Sequence, residues 1–309
     1  MAGENKRKRL LMCIGLIAVC MAGCGTPDDN VRTGKNVMED ESTAPIGVND
    51  ETVEGEPQDV EPEGEDITFE GSSLSIFGDS ISTYYGYIPE GFGMFYPESG
   101  ELADVSQTWW MKLLDDTGME LCSNDSSAGS TCVGFSMSVD DPKYGCGSYR
   151  LSELTGEQGK IPDVIIIYMG TNDLLKDIPL GDNDGTRWVA EGEIENFSDA
   201  YCLILDKIAS NYPISQIYCC TLLPIGTWGT EGPFVTYTNR IGLTSEDYSE
   251  CIRIIAQNKG IPVIDLYQCG IEIDNLHVMT SDGVHPTPDG MECVERAMLD
   301  GLKGGQSRH

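Results

Sequence analysis

The sequence predicts a three-layer α/β/α sandwich built around a five-stranded parallel sheet. Three observations carry this. Five short apolar runs, at residues 74–77, 119–123, 164–169, 216–222 and 262–266, have the length and bulk of strands buried on both faces. Helical patterns lie between them. Strand and helix therefore alternate along the chain, which calls for a parallel sheet with crossover helices on its two faces.

Taken in order, the chain begins with an address. Lys6, Arg7, Lys8 and Arg9 precede an apolar stretch over residues 10–23, the pattern of an export signal and too short for a membrane span of about 20 residues. Met21-Ala22-Gly23-Cys24 resembles the lipobox of bacterial lipoproteins, so residues 1–23 are expected to be cleaved before Cys24 and lipid attached to its sulfur. This implies an exported protein anchored at the membrane on the extracellular or periplasmic side. Residues 24–70 follow as an acidic tether. Positions 25–70 carry fifteen acidic and two basic groups with few large apolar side chains, too little to offset chain entropy on folding.

Residues 71–309 are the expected folded domain. Residues 105–117 and 289–302 are helix candidates, as are two runs with apolar residues at helical spacing: Phe197, Tyr201, Ile204, Leu205 and Ile208, and Tyr248, Cys251, Ile252 and Ile255. Gly118 and Gly260 suit helix stops. The natural arrangement of these elements is flavodoxin-like, in which ligands sit at the carboxyl ends of the strands.

The charge excludes one class of partner. Nineteen Lys and Arg against fifty-one Asp and Glu leave a net −32, incompatible with the cationic footprint of a duplex nucleic-acid binder. Missing motifs exclude others. There is no Gly-x-Ser-x-Gly elbow, no His-Glu-x-x-His and no glycine-rich phosphate loop. With three histidines in all, a catalytic zinc site is also disfavoured.

Three strand-end or loop segments carry chemistry. Gly78-Asp79-Ser80 follows the first strand and sets a hydroxyl at the sheet edge. Gly170-Thr171-Asn172-Asp173 follows the third and sets an amide there. Asp282-Gly283-Val284-His285-Pro286 precedes the last helix, with a carboxylate three residues before an imidazole. That spacing lets Asp282 accept from Nδ1 of His285 and leaves Nε2 to take a proton from a serine. Singly, each has an ordinary alternative: Ser80, Asn172 or Asp173 as helix caps, His285 as a turn residue. Asp274-x-x-His277 repeats the spacing but lacks the proline and the helix.

Together and in this order, the three segments resemble the SGNH hydrolases, also called GDSL-type esterases, over residues 73–302. The resemblance implies a flavodoxin-like sandwich and a serine esterase that needs no metal or organic cofactor. Ser80 would be the nucleophile, His285 the general base and acid, and Asp282 the residue orienting His285. The family's glycine block falls on residues 124–130, where Ser126 stands at the position expected to be Gly. The oxyanion hole implied is then the N–H groups of Ser80 and Ser126 with the Asn172 amide.

Substrate signals come from two aromatic segments. Residues 84–104 hold Tyr84, Tyr85, Tyr87, Phe92, Phe95 and Tyr96, and residues 227–244 hold Trp228, Phe234, Tyr237 and Arg240. They suit stacking on sugar rings or ordinary loop packing. The expected substrate is a small acyl ester, with acetyl on an acylated glycan preferred. A lysophospholipid or phospholipid ester is one alternative, and a non-catalytic glycan-binding surface lipoprotein is another. The nine cysteines beyond residue 100 read mostly as buried small hydrophobes, although Cys122, Cys132 and Cys146 are close enough in sequence to pair.

Overall fold

The computed structural model describes residues 68–306, apart from 135–140, 142, 191, 193, 230 and 231. The expected signal segment, Cys24 and nearly all of the expected acidic tether lie outside the described residues. Phe69 is 5% exposed and packs in the core, and the Gly71 N–H bonds the Gly118 carbonyl.

Among the described residues seven strands form: β1 (Ser73–Gly78), β2 (Glu120–Ser126), β3 (Val164–Tyr168), β4 (Gln216–Cys220), β5 (Gly226–Gly229), β6 (Gly232–Thr236) and β7 (Val263–Ile264). Five of them make one wholly parallel sheet in the order β2-β1-β3-β4-β7, the arrangement read from the sequence. The other two pair as an antiparallel hairpin, β5–β6, in a segment expected to be loop. The helices are α1 (Trp109–Thr117), α2 (Ser148–Ser152), α3 (Thr171–Leu175), α4 (Phe197–Asn211), α5 (Ser245–Lys259), α6 (Leu276–Met279) and α7 (Pro288–Gln306).

The two faces of the sheet follow from side-chain alternation along each strand. Leu74, Ile76, Val164 and Ile166 point to one side and pack on Trp109, Trp110 and Leu113 of α1 and on Met291, Val294, Met298 and Leu302 of α7. Phe77, Ile165, Ile167 and Cys219 point to the other, against Phe197, Tyr201, Ile204 and Ile208 of α4 and Tyr248, Ile252 and Ile255 of α5. Helices α1 and α5 end on Gly118 and Gly260, both left-handed.

Three boundaries differ from expectation for local reasons. The helix expected over 105–117 splits because Thr108 is extended, its hydroxyl accepting from the Met111 N–H as the cap of α1. The last strand shrinks to two residues, since Pro262 has no N–H to give and Asp265 is drawn aside by Thr221 and Arg253. Strand β2 instead runs on through the polar residues Asn124, Asp125 and Ser126, all buried. The nine cysteines beyond residue 100 are all free thiols, and six are buried.

Candidate active site

The sheet delivers its chemistry at one edge. Strand β1 ends at Gly78, and the chain turns at once into a short 3₁₀ segment, Ser80–Ser82, capped by the Asp79 carboxylate accepting from the Ile81 N–H. A side chain at Gly78 is excluded, because its Cβ would sit 2.6 Å from Ser126 Oγ and 2.9 Å from Ser82 Oγ. The turn is pinned from below. Ser82 Oγ accepts from the Trp109 indole N–H, and the Ser82 carbonyl accepts from the Trp110 indole N–H and from Asn124 Nδ2. The adjacent tryptophans Trp109 and Trp110 are both fully buried.

The loop between α6 and α7 brings His285 to this turn. His285 Nε2 lies 2.9 Å from Ser80 Oγ, and Nδ1 lies 2.7 Å from Asp282 Oδ2. The other Asp282 oxygen accepts from the His285 and Val284 N–H groups at 2.8 and 3.0 Å. Burial works to raise the Asp282 carboxyl, but these bonds, led by that of the His285 ring, outweigh it and hold the group below the usual carboxylate range. A hydroxyl, an imidazole and an ionised carboxylate therefore form one hydrogen-bonded chain across 205 residues of sequence. Asp274 and His277, the other pair at this spacing, are both exposed.

Asn172 occupies the first turn of α3, after β3, and its Nδ2 is buried with no hydrogen-bond partner among the described residues. An amide nitrogen in that state is a donor kept free for a ligand or water. Its neighbour Asp173 faces the other way, accepting from the Cys132 and Val133 N–H groups and tying α3 to the loop after β2.

Ser126 is not placed as expected. The Ser127 N–H bonds the Gly78 carbonyl, and N–H groups alternate in direction along a strand, so the Ser126 N–H points away from β1 and from Ser80. Its hydroxyl is also spent, donating to Asn124 Oδ1 at 2.6 Å. The free donor of this block is three residues further on. The Ser130 N–H bonds the Ser127 carbonyl, closing a turn with Gly129 at φ +77°, and the Gly129 N–H has no hydrogen-bond partner among the described residues. Lys176 Nζ holds the Gly129 carbonyl at 2.6 Å, so this turn is fixed between the Ser80 turn and α3. The missed signal was the glycine itself, since a turn of this kind needs a residue at ease with positive φ.

Asp79 is wholly buried and one of its oxygens is unpartnered. Burial pushes its carboxyl up to about 6, against the opposing effects of the Ile81 N–H and the His285 charge, and burial likewise pushes Asp173 up to about 7. A carboxyl raised above its unfolded value of 3.8 binds its proton more tightly when folded, so its contribution to stability falls as pH rises from about 4 through the folded value. Carboxyls lowered by the fold, such as Asp163 and Asp282, have already delivered their stabilisation above about pH 5. Asp79→Asn is expected to abolish the Asp79 share of the fall, about 1–3 kcal/mol in urea unfolding between pH 4 and 8. Equal pH slopes in variant and parent would contradict this burial argument.

The comparisons with known proteins agree with this architecture. Residues 72–224 match the family described as GDSL-like Lipase/Acylhydrolase. The match includes Ser80 and Asn172, while Asp282 and His285 lie beyond it and reach Ser80 through the fold. Among curated proteins none matches. Among solved structures, the chain is similar to a Bacteroides ovatus protein put forward as a GDSL-like lipase, at 25% identity and a TM-score of 0.57, covering 76% of this chain and 99% of that one. A second protein put forward as a GDSL-like lipase, from Bacteroides uniformis, shares the fold at 24% identity and a TM-score of 0.56, over 76% and 96% of the two chains. A Lactobacillus plantarum protein does so at 21% identity and 0.57, over 76% and 98%.

Proposed function

Since the chain belongs to the GDSL-like lipase/acylhydrolase family and is an ester-bond hydrolase, we propose that it removes small acyl groups through an acyl-enzyme on Ser80. The observation that carries this reading is the unbroken chain Ser80 Oγ, His285 Nε2, His285 Nδ1, Asp282 Oδ2. His285 takes the Ser80 proton as Oγ bonds the ester carbonyl carbon, then gives it to the departing alkoxide. Water next attacks the acyl-enzyme, losing its proton to His285 and releasing the acid and the free Ser80 hydroxyl. Asp282 fixes the ring's tautomer and offsets the imidazolium charge. The oxyanion is held by the Ser80 N–H, the Gly129 N–H and Asn172 Nδ2, with Gly129 standing where Ser126 was expected.

The acyl acceptor is proposed to be carbohydrate. Hairpin β5–β6 lies against the histidine loop: the Gly226 N–H bonds the Gly283 carbonyl, and Phe234 packs within 2.8 Å of where a Cβ on Gly283 would stand. On that hairpin Trp228 is 66% exposed and stacks on Phe234 at 4.4 Å. An indole face held open on a hairpin that packs against the histidine loop suits a sugar ring. Hydrolysis of p-nitrophenyl acetate, butyrate and palmitate is the first test, with acetate the preferred substrate. On an acetylated oligosaccharide, Trp228→Ala is expected to lower kcat/KM by up to about tenfold, the upper end of the roughly 0.5–1.5 kcal/mol of aromatic stacking, and to leave p-nitrophenyl acetate unchanged. Preference for palmitate would sink the small-acyl reading, and an oligosaccharide rate untouched by Trp228→Ala would sink the carbohydrate one.

A further inference from the structure

Residues Gly93–Tyr96 tie together three parts of the site that are far apart in sequence. The Gly93 N–H donates to Ser127 Oγ at 3.1 Å and its carbonyl accepts from the Ala128 N–H at 2.8 Å, which holds the turn carrying Gly129. The Phe95 N–H donates to Thr83 Oγ1, whose own proton goes to the Ser80 carbonyl, which holds the nucleophile turn. The Tyr96 hydroxyl donates to the Pro286 carbonyl at 2.9 Å, from a fully buried ring, which holds the histidine loop.

At the centre of this strap, the Phe95 ring lies flat on the His285 imidazole, with centroids 3.5 Å apart and planes 11° from parallel. Tyr96 meets both rings edge-on. Hydrogen bonds fix the two nitrogens of the imidazole along its edge, but only a surface against its face resists rotation of the ring out of its plane.

We propose that Phe95 is a positioning residue for His285, and that its effect is largest after the acyl-enzyme has formed. In the free enzyme the Nε2 to Ser80 Oγ contact helps to hold the ring. Acylation of Oγ removes that hydroxyl, and the ring is then kept on line for the incoming water by Asp282 along one edge and Phe95 against one face. Misplacement of a catalytic group by about 1 Å costs on the order of 100-fold. The inference rests on His285 being the general base.

The experiment is the kinetics of Phe95→Ala, Phe95→Leu and Phe95→Tyr on p-nitrophenyl acetate. Phe95→Ala and Phe95→Leu are expected to lower kcat about 10–100-fold while kcat/KM, which reports acylation alone, falls less than about threefold. A burst of p-nitrophenolate close to one equivalent should appear, with an acetyl adduct in the intact mass. Phe95→Tyr, which keeps the ring, should stay within about threefold of the parent in both parameters. A merely structural role would lower kcat and kcat/KM together in proportion to lost active enzyme, with no burst. That result, or wild-type kinetics in Phe95→Ala and Phe95→Leu, overturns the proposal. Where Phe95→Ala fails to fold, Phe95→Leu carries the comparison. His285→Ala run alongside separates the two readings: an active His285→Ala refutes the base itself, whereas an inactive one beside an unchanged Phe95→Leu refutes only the strap.

Discussion

Ser80→Ala is expected to lower kcat/KM on p-nitrophenyl acetate by about 10⁴–10⁶, and His285→Ala to match it. The equality follows from the geometry. One proton is shared across the 2.9 Å contact between Ser80 Oγ and His285 Nε2, so removing either partner removes the same step. The double variant should accordingly be no worse than either single one, unlike two independent contributions, which would multiply. Asp282→Asn should cost about 10⁴ through the wrong imidazole tautomer, since the Nδ1 contact it breaks is the shortest in the chain. Residual turnover by all of these variants should still exceed that in water, because the oxyanion donors are untouched. A Ser80→Ala enzyme within tenfold of its parent contradicts the acyl-enzyme outright.

The largest expected loss of stability comes from Arg150→Met. Arg150 and Asp125 are both fully buried, and Nε and Oδ2 are 3.0 Å apart. The guanidinium also donates to the Gly78 carbonyl and to the Asp125 carbonyl, and it lies over the Phe77 ring at 4.3 Å. This pair sits directly beneath the Ser80 turn and joins the ends of β1 and β2. Even with its partner present, burial raises the Asp125 carboxyl. Taking Arg150 away leaves that carboxyl unpaired in the interior, a change that typically costs 3–5 kcal/mol. For a domain of this size that corresponds to a fall in Tm on the order of 10 °C. The paired variant Asp125→Leu/Arg150→Met should be more stable than Arg150→Met alone, because it removes the orphaned charge as well. Differential scanning calorimetry of the three proteins tests this. Arg150→Met melting within 2 °C of the parent, or a paired variant less stable than the single one, would contradict the ion-pair account.

The parts of the molecule that were legible in the sequence are those where one physical requirement dominates. Strands β1 and β3 are buried on both faces and read as unbroken apolar runs. Helix α5 buries one stripe and shows it at helical spacing, and α4 keeps that spacing in its large apolar residues although residues 197–205 are all buried. The three groups proposed for catalysis stand at a strand end or just before a helix, where a short motif marks their place. What was obscure had competing requirements. The end of β2 is polar because Asn124 and Asp125 there serve the Ser82 carbonyl and Arg150, so an apolar pattern stops three residues too soon. Hairpin β5–β6 is short and rich in glycine and threonine, with every side chain but that of Phe234 exposed, and it looked like loop. Ser126 was chosen by its offset in a motif, whereas the direction of an N–H is set by the ladder, and the ladder turns it away. The strap at Gly93–Tyr96 was visible only as aromatic residues in a loop. Its three attachments, to residues 83, 127 and 286, are separated by too much sequence for any local pattern to show them.

The central claim is that Ser80 is a nucleophile activated by His285. A fluorophosphonate adds to such a serine by losing fluoride to form a stable phosphonyl ester, so intact mass spectrometry after brief treatment reads the claim directly. One adduct per chain is expected, on the peptide containing Ser80, with no adduct on Ser80→Ala and labelling slowed at least a thousandfold in His285→Ala. An adduct on another residue, or Ser80 labelling at an undiminished rate without His285, contradicts it.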